Sequence, residues 1–204
     1  MSHYYDKVQS SPLREEIVSV NVLGFSFDFF SASGLFSKKE LDSATRLLIE
    51  KADLTNAKSV LDLGCGWGVV AVSLAVANKN SEIKFVASDV SDRAITYTKK
   101  NSRKFKAHVE VIQSNIFENS YFENKLFDVI LTNPPYVAGR KVCLAFIEES
   151  FNHLNEGGSL QLVARHKKGG KFLGEYMKDL FGNLEFIGKQ SGFRIYKSVK
   201  KSSN

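Results

Sequence analysis

The chain has 204 residues, of which 43% are hydrophobic and 25% charged, so it is long enough to bury the core of one domain. Its 28 lysines and arginines against 22 aspartates and glutamates give a net charge of +6, which favours polyanionic partners without proving nucleic-acid binding. Cys65 and Cys143 lack metal-type spacing and are too few for a disulfide scaffold, which indicates a reducing cytosol and no bound metal.

Membrane contact is not expected from the sequence. The polar segment Met1–Glu16 lacks the apolar core of a secretory signal. The longest apolar run, Val69–Ala77, is too short to cross a bilayer. We therefore expect a cytoplasmic protein, either a monomer or a homodimer.

The N-terminal section predicts a small antiparallel sheet followed by a helix. Ile17–Val22 and Phe25–Phe29 alternate in character and are joined by a Leu-Gly turn, which is typical of a β-hairpin. Helical spacing then runs over Leu41–Lys51. We divide the chain accordingly into an N-terminal hairpin extension, residues 1–40, and a second domain, residues 41–204.

Short apolar runs alternate with helical stretches from Ser59 onward, as expected for buried parallel strands connected by helices. The predicted strands are Ser59–Leu63, Ile83–Ala87, Val109–Ile112, Phe127–Leu131 and Leu160–Ala164. The predicted helices are Val69–Asn78, Asp92–Phe105, Arg140–Leu154, which Gly157–Gly158 would close, and Lys171–Phe181. This alternation predicts an α/β fold with a doubly wound, mostly parallel, Rossmann-like sheet.

Two further strands end the predicted sheet. Leu184–Gly188 and Phe193–Lys197 flank a short Gln-Ser-Gly turn, and strands with so short a connection must be antiparallel. The sheet is therefore expected to have seven strands and to finish in an antiparallel C-terminal hairpin.

The first candidate site is the glycine-rich turn Leu61–Gly68, which joins the first strand of this sheet to a helix. Glycines let a ligand approach the backbone, and the following helix N-terminus offers N–H groups that suit an anionic group. Val69 stands where a nicotinamide fingerprint would have glycine. The turn therefore favours a nucleoside ligand bearing a carboxylate over one bearing a pyrophosphate. The alternative is a turn that serves only tight strand–helix packing.

Polar side chains follow the next two strands at the same sheet edge. Asp89 ends the second strand, where a carboxylate can accept hydrogen bonds from both ribose hydroxyls. A helix N-cap is the alternative role for Asp89, although Ser91 is available for that purpose. Asn115 ends the third strand, where its amide could read an adenine edge or bond its own backbone instead.

The sharpest signal is the segment Asn133-Pro134-Pro135-Tyr136, directly after the fourth strand. Each proline fixes φ and restricts the residue before it, so the segment is a stiff bracket. The Asn133 side-chain oxygen and the Pro134 carbonyl can both accept from one NH2 group, and Tyr136 can stack on a planar substrate. Because asparagine is no general base, such a site works by positioning and by stabilising charge on nitrogen. A simple strand-to-loop stop signal is the alternative.

The order of these motifs resembles that of class I S-adenosylmethionine methyltransferases of the Asn-Pro-Pro-aromatic type, which act on planar amino or amide nitrogens. The segment Gly34–Ser37, followed by Leu41-Asp42 and Thr45, is similar to the methyltransferase small-domain family. That family's ribosomal RNA guanine-N2 enzymes carry a Gly-Val-Phe-Ser segment before such a helix. The ending Gly192–Lys197 resembles the family as well, so the likeness covers nearly the whole chain.

The resemblance implies that S-adenosyl-L-methionine is the cofactor and assigns roles to individual residues. The expected cofactor-binding residues are Asp62, Gly64, Cys65, Gly66, Gly68, Asp89, Val90, Asn115, Ile116 and Asn133. Asn133, with Pro134 and Tyr136, is expected to be catalytic, and Phe36, Pro135 and Tyr136 are expected to touch the substrate. Asn115 departs from the acidic residue common in the family. Tyr136 replaces the usual phenylalanine and is equally typical of the adenine-N6 and glutamine-N5 branches.

A basic cluster follows the fifth strand, on the edge where ligands bind in open α/β folds. Arg165, Lys167 and Lys168 are interpreted as contacts to an RNA backbone, with a solvated charged loop as the alternative. The hypothesis is therefore an RNA methyltransferase acting on guanine N2, with ribosomal RNA or a ribosomal particle as partner. Adenine-N6 methylation, protein glutamine-N5 methylation and a non-enzymatic RNA-binding module remain alternatives.

Overall fold

The computed structural model describes residues 12–35 and 40–202. The strands in this part of the chain are β1 Glu15–Val22, β2 Phe25–Ala32, β3 Ser59–Leu63, β4 Lys84–Asp89, β5 Val109–Gln113, β6 Phe127–Thr132, β7 Leu154–Arg165, β8 Glu185–Gln190 and β9 Phe193–Val199. The α-helices are α1 Ser43–Lys51, α2 Val69–Ala77, α3 Asp92–Lys104, α4 Arg140–Asn152 and α5 Lys171–Phe181. Short 3₁₀ turns lie at Ser120–Phe122 and Tyr136–Ala138, and an irregular turn with non-helical backbone at Lys168 and Gly169 lies at His166–Gly170.

Seven strands form one sheet in the order β5-β4-β3-β6-β7-β9-β8. The strands from β5 to β7 are parallel, while β9 is antiparallel to both β7 and β8. The predicted doubly wound sheet with an antiparallel C-terminal hairpin is thus confirmed. Because the chain turns from β3 toward β4 on one side and later adds β6 on the other, a crevice opens at the carboxyl ends of β3, β4 and β6.

One local prediction is wrong: Gly157–Gly158 does not close a helix but lies inside β7. The α4 helix ends at Asn152, and β7 begins already at Leu154. The β6–β7 register shifts here, and a Cβ on Gly158 would stand 2.9 Å from the Phe127 carbonyl oxygen. Glycine is therefore required at this position because backbone atoms approach it closely. In the sequence, a glycine pair of this kind looks the same as one that ends a helix.

The β1–β2 hairpin packs on the main sheet's helices. Buried Asn101 of α3 bonds the Phe30 backbone through Nδ2 (2.9 Å to O) and Oδ1 (2.8 Å from N). The same Nδ2 donates to the Trp67 carbonyl of the glycine-rich turn at 2.8 Å, and the Phe29 and Trp67 rings meet edge-on. One asparagine thus ties the hairpin to the site. The division at residue 40 remains a prediction.

Helix α1, which precedes β3 in the chain, begins at the edge of the sheet where the crevice opens. Asp42 is the N-cap of α1, and its Oδ1 accepts from the backbone N–H groups of Ala44 and Thr45, each at 3.0 Å. An extended capping residue explains why the helix begins at Ser43, two residues after the predicted start. This cap places Thr45 on the inner side of α1, where it is 6% exposed.

Candidate active site

A cavity of about 360 Å³ lies at the carboxyl ends of the parallel strands, a volume typical of small-molecule sites. Most of the predicted site residues line it together: Asp62, Gly64, Cys65, Gly66, Asp89, Val90, Asn115, Ile116, Asn133, Pro134, Pro135 and Tyr136. Its wall also includes Asp42 and Thr45 of the α1 region. Motifs spread over some 75 residues of the sequence therefore converge on one cavity, as the strand order requires.

The glycine-rich turn is held in place by β4. The backbone N–H groups of Gly64 and Cys65 both donate to the Ser88 carbonyl at 2.9 Å. Gly66 donates its N–H to Oδ2 of Asp89, also at 2.9 Å. The burial of Cys65 raises the pKa of its thiol well above the ordinary value. This thiol is thus protonated at neutral pH and serves packing, not nucleophilic chemistry.

Two carboxyl groups stand beside this turn. Asp89 accepts from Gly66 N and, through Oδ1, from Ser91 N at 2.9 Å, yet burial raises its pKa to about 6. Asp62 is 3% exposed and accepts from Ala71 N at 3.2 Å. Burial, reinforced by the charge of Asp89, raises the pKa of Asp62 to about 7. Such a pair suits a ligand with hydroxyl donors and a cationic ammonium, because both would stabilise the ionised carboxylates.

Asn133 follows β6 at the opposite wall of the cavity. Its side-chain Nδ2 donates to the Thr45 hydroxyl oxygen of α1 at 3.1 Å. An amide directs its nitrogen and its oxygen to different sides, so with Nδ2 turned to Thr45 the acceptor Oδ1 is left for a ligand. Thr45 was not among the predicted site residues, although its segment carried part of the family resemblance.

The proline bracket is stiffened by its own hydrogen bonds. The Pro134 carbonyl accepts from Tyr136 N at 2.9 Å. A carbonyl oxygen has a second lone pair, so a further donor can still be accepted. The hydroxyl of Tyr136 donates to the Val163 carbonyl of β7 at 3.0 Å, which anchors the ring.

Asn115 lies at the rim, where its Nδ2 donates to Oε1 of Glu118 at 2.7 Å. Its expected contact with an adenine edge remains a prediction.

Four other predicted residues do not line this cavity. Gly68 is the N-cap of α2, in left-handed conformation. Arg165, Lys167 and Lys168 are exposed at the end of β7 and in the turn after it. Phe36 lies outside the described residues. The predicted roles of these five residues remain predictions.

The fold is that of a Rossmann-like sheet whose cavity lies at the glycine-rich turn. The methyltransferase small domain family matches residues 26–197. The uncharacterized protein YbxB of Bacillus subtilis is 35% identical over 200 residues, which cover 97% of this chain and 98% of that protein. The ribosomal RNA small subunit methyltransferase C of Photorhabdus laumondii is 36% identical over 174 residues, 82% of this chain and 48% of that protein.

Solved structures agree with this match. The T. thermophilus 16S rRNA N2 methyltransferase RsmC, in complex with AdoMet and guanosine, superposes with a TM-score of 0.80 at 24% identity over 94% of this chain and 52% of that one. A methyltransferase from Pyrococcus furiosus gives a TM-score of 0.66 over 78% of this chain and 82% of that one. The chain thus spans about half the length of the methyltransferase C relatives.

This chain belongs to the methyltransferase small domain family. It is an S-adenosylmethionine-dependent methyltransferase, and the carboxyl pair and cavity volume described above fit that cofactor. None of the helices in the described part of the chain has the length and apolar character needed to cross a membrane. Among residues 12–35 and 40–202, no three His, Cys, Asp or Glu side chains group in a way that could hold a metal ion.

Proposed function

We propose that the protein transfers the methyl group of S-adenosylmethionine to the exocyclic N2 amine of a guanine in ribosomal RNA. The observation that carries this proposal is the orientation of Asn133, whose Nδ2 is engaged by Thr45 at 3.1 Å. Its Oδ1 is therefore the atom available to an amine in the cavity. An acceptor is what a neutral NH2 group needs, and a carboxylate or histidine base is not required beside it.

The chain's own residues would prepare the amine for attack. Asn133 Oδ1 would accept a hydrogen bond from one N–H of the amine, and the Pro134 carbonyl oxygen would accept one from the other through its second lone pair. These two hydrogen bonds turn the nitrogen lone pair toward the glycine-rich turn. The same two oxygens stabilise the positive charge that develops on nitrogen. Tyr136 holds the flat base in this orientation, since its own ring is anchored on Val163.

The cofactor side of the site has residues for each part of the molecule. Asp89 would accept from the ribose hydroxyls, Asp62 would face the ammonium of the methionine moiety, and Asn115, which lines the same cavity, would contact the adenine edge. When bound there, S-adenosylmethionine supplies an electrophilic methyl group on a sulfonium. Everything else in the site acts by binding and orientation, and the proton that the methylated nitrogen must lose passes to water.

A guanine in ribosomal RNA is favoured by two further observations. Relatives named ribosomal RNA small subunit methyltransferase C match more than 80% of this chain, and the RsmC neighbour was solved with guanosine. Tyr136, which stands where the similar guanine-N2 enzymes have phenylalanine, is compatible with this target, because its hydroxyl is engaged in a hydrogen bond to the Val163 carbonyl. The net charge of +6 suits an RNA partner.

The test is methyl transfer from S-adenosylmethionine carrying a tritiated methyl group to ribosomal subunits and to naked ribosomal RNA, followed by nucleoside analysis. We expect label in N2-methylguanosine, and Asn133→Ala should lower the single-turnover rate by about 10²–10³. Asn80→Ala, an exposed asparagine between α2 and β4, is the matched control and should behave as wild type. Label in N6-methyladenosine or in protein, or a wild-type rate for Asn133→Ala, would overturn the proposal.

A further inference from the structure

A second cleft lies beside the active site, between the end of β7 and α5. It has a volume of about 430 Å³ and is more open than the first cavity. Its walls are His166, Lys167, Gly169, Lys171, Phe172 and Glu175. Nothing in the methyl-transfer chemistry described above uses these residues.

The cleft carries positive charge. Lys167 and Lys171 line it, and the single acidic residue among its lining residues, Glu175, forms a salt bridge of 3.7 Å with Lys171. Partial burial, followed by the nearby charges of Arg194, Lys171 and Lys167, lowers the pKa of His166. Burial is the larger cause of this shift, but three cations, Arg194, Lys171 and Lys167, stand close to the ring against the single carboxylate of Glu175. This excess of positive charge attracts phosphate groups.

An aromatic ring accompanies these charges. Phe172 lines the cleft and is 37% exposed, and the Arg140 guanidinium lies 4.5 Å from its ring centroid. An exposed phenyl ring beside cations is the arrangement on which unpaired bases stack in proteins that bind single-stranded nucleic acid. An acidic peptide would use the lysines but would have no need of the ring.

The cleft is also close to the target amine. Arg140 opens α4 directly after the turn Tyr136–Ala138, which lines the active-site cavity. Val137, 65% exposed, is part of the lining of the active-site cavity. The three residue steps from Val137 to Arg140 span at most about 10 Å of backbone, and the Arg140 side chain covers the remaining distance to the Phe172 ring. A strand whose base enters the cavity therefore has neighbouring nucleotides within reach of Phe172.

We propose that this cleft is a second nucleotide-binding subsite, which takes a base on Phe172 and a backbone phosphate on Lys167 and Lys171, next to the target nucleotide in the RNA strand. The proposal rests on the RNA substrate proposed above. It gives the enzyme a means to distinguish a guanine in a single-stranded RNA segment from a free nucleoside.

The test measures binding of a fluorescein-labelled single-stranded RNA of about ten nucleotides by fluorescence anisotropy. Loss of one stacked base should raise the Kd of Phe172→Ala about 5- to 100-fold, while Phe172→Tyr stays near wild type. Phe186→Ala is the matched control, since Phe186 is also exposed and its ring centroid lies 5.1 Å from the Arg194 guanidinium, yet it does not line the cleft.

The phosphate contact has its own test, the salt dependence of RNA binding. Lys167→Ala should reduce the slope of log affinity against log salt concentration by about 0.7. Calorimetric binding of S-adenosylmethionine verifies that each variant is folded.

The outcomes separate this proposal from the function it rests on. Equal Kd values for Phe172→Ala and Phe186→Ala, with methyl transfer to RNA intact, would remove the subsite and leave the function standing. Phe172-dependent RNA binding without any methyl transfer to RNA would support the subsite and remove the function. A labelled polyglutamate peptide of equal charge that loses affinity as much as RNA does in Phe172→Ala would show a site for acidic peptides and overturn the nucleotide assignment.

Discussion

Asp62→Asn should make the ligand-free protein more stable at alkaline pH. Burial raises the pKa of Asp62 from the ordinary 3.8 to about 7. Between these two values the folded state holds a proton that the unfolded chain has lost, so the free energy of unfolding falls as pH rises. An asparagine keeps a side-chain oxygen for Ala71 N, which Asp62 contacts at 3.2 Å, and carries no titrating proton.

The size of this effect follows from the same pKa. Each pH unit between 5 and the folded pKa of about 7 costs the wild type about 1.36 kcal/mol, because the unfolded carboxyl is already ionised at pH 5. The wild type should therefore lose about 3 kcal/mol relative to Asp62→Asn between pH 5 and pH 8. The same substitution should weaken S-adenosylmethionine binding, since it removes the charge that we propose faces the ammonium. Stability and function are thus opposed at this residue.

Urea unfolding of both proteins at a series of pH values from 5 to 8, without cofactor, measures this difference. Asp53→Asn is the control, because the hydrogen bond from Lys197 lowers the pKa of Asp53 to about 2. Asp53 is ionised in both states throughout this range, so its removal should lower stability by the same amount at every pH. A difference between wild type and Asp62→Asn that does not grow with pH would refute the reasoning.

Three further expectations concern the same site. Asp89→Ala should weaken S-adenosylmethionine binding by about 1.5–3 kcal/mol, as for a lost charge-assisted hydrogen bond, and an unchanged calorimetric affinity would remove the ribose assignment. Thr45→Val removes the oxygen that accepts from the Asn133 amide, so kcat should fall about 3- to 10-fold while Thr45→Ser restores it; equal kcat values for the two variants would refute the proposed positioning role. Gly68→Ala places a Cβ 2.7 Å from Thr98 Cγ2 at a φ of +83°, and it should lower the free energy of unfolding by about 2–4 kcal/mol. Gly66→Ala, also at positive φ but with open space around its Cβ, should cost about 1–2 kcal/mol, and equal losses would contradict the steric argument.

The elements from β3 onward could be predicted because strands buried on both faces are continuous apolar runs, and the glycines and prolines that end them act within a few residues. The two exceptions are instructive. Gly157–Gly158 resembled a helix stop, but a side chain at Gly158 would meet backbone oxygens of β6, some 30 residues earlier in the chain, as well as the Asn155 oxygen of β7 itself. The helix α1 begins after Asp42 since its capping bonds, not the apolar pattern, set the first turn.

The sequence by itself determined which candidate site residues follow each strand. These are the glycine-rich turn, Asp89 and the Asn-Pro-Pro-Tyr bracket, all at one sheet edge. Local constraints on φ and burial are sufficient for this, because parallel strands place their carboxyl ends together. Only the tertiary structure decided which distant groups orient these residues. Thr45 lies 88 residues before the Asn133 that it holds, and Tyr136 is anchored on a β7 carbonyl. Such contacts depend on how helices and neighbouring strands pack, and packing between distant segments leaves no periodic signal in the sequence.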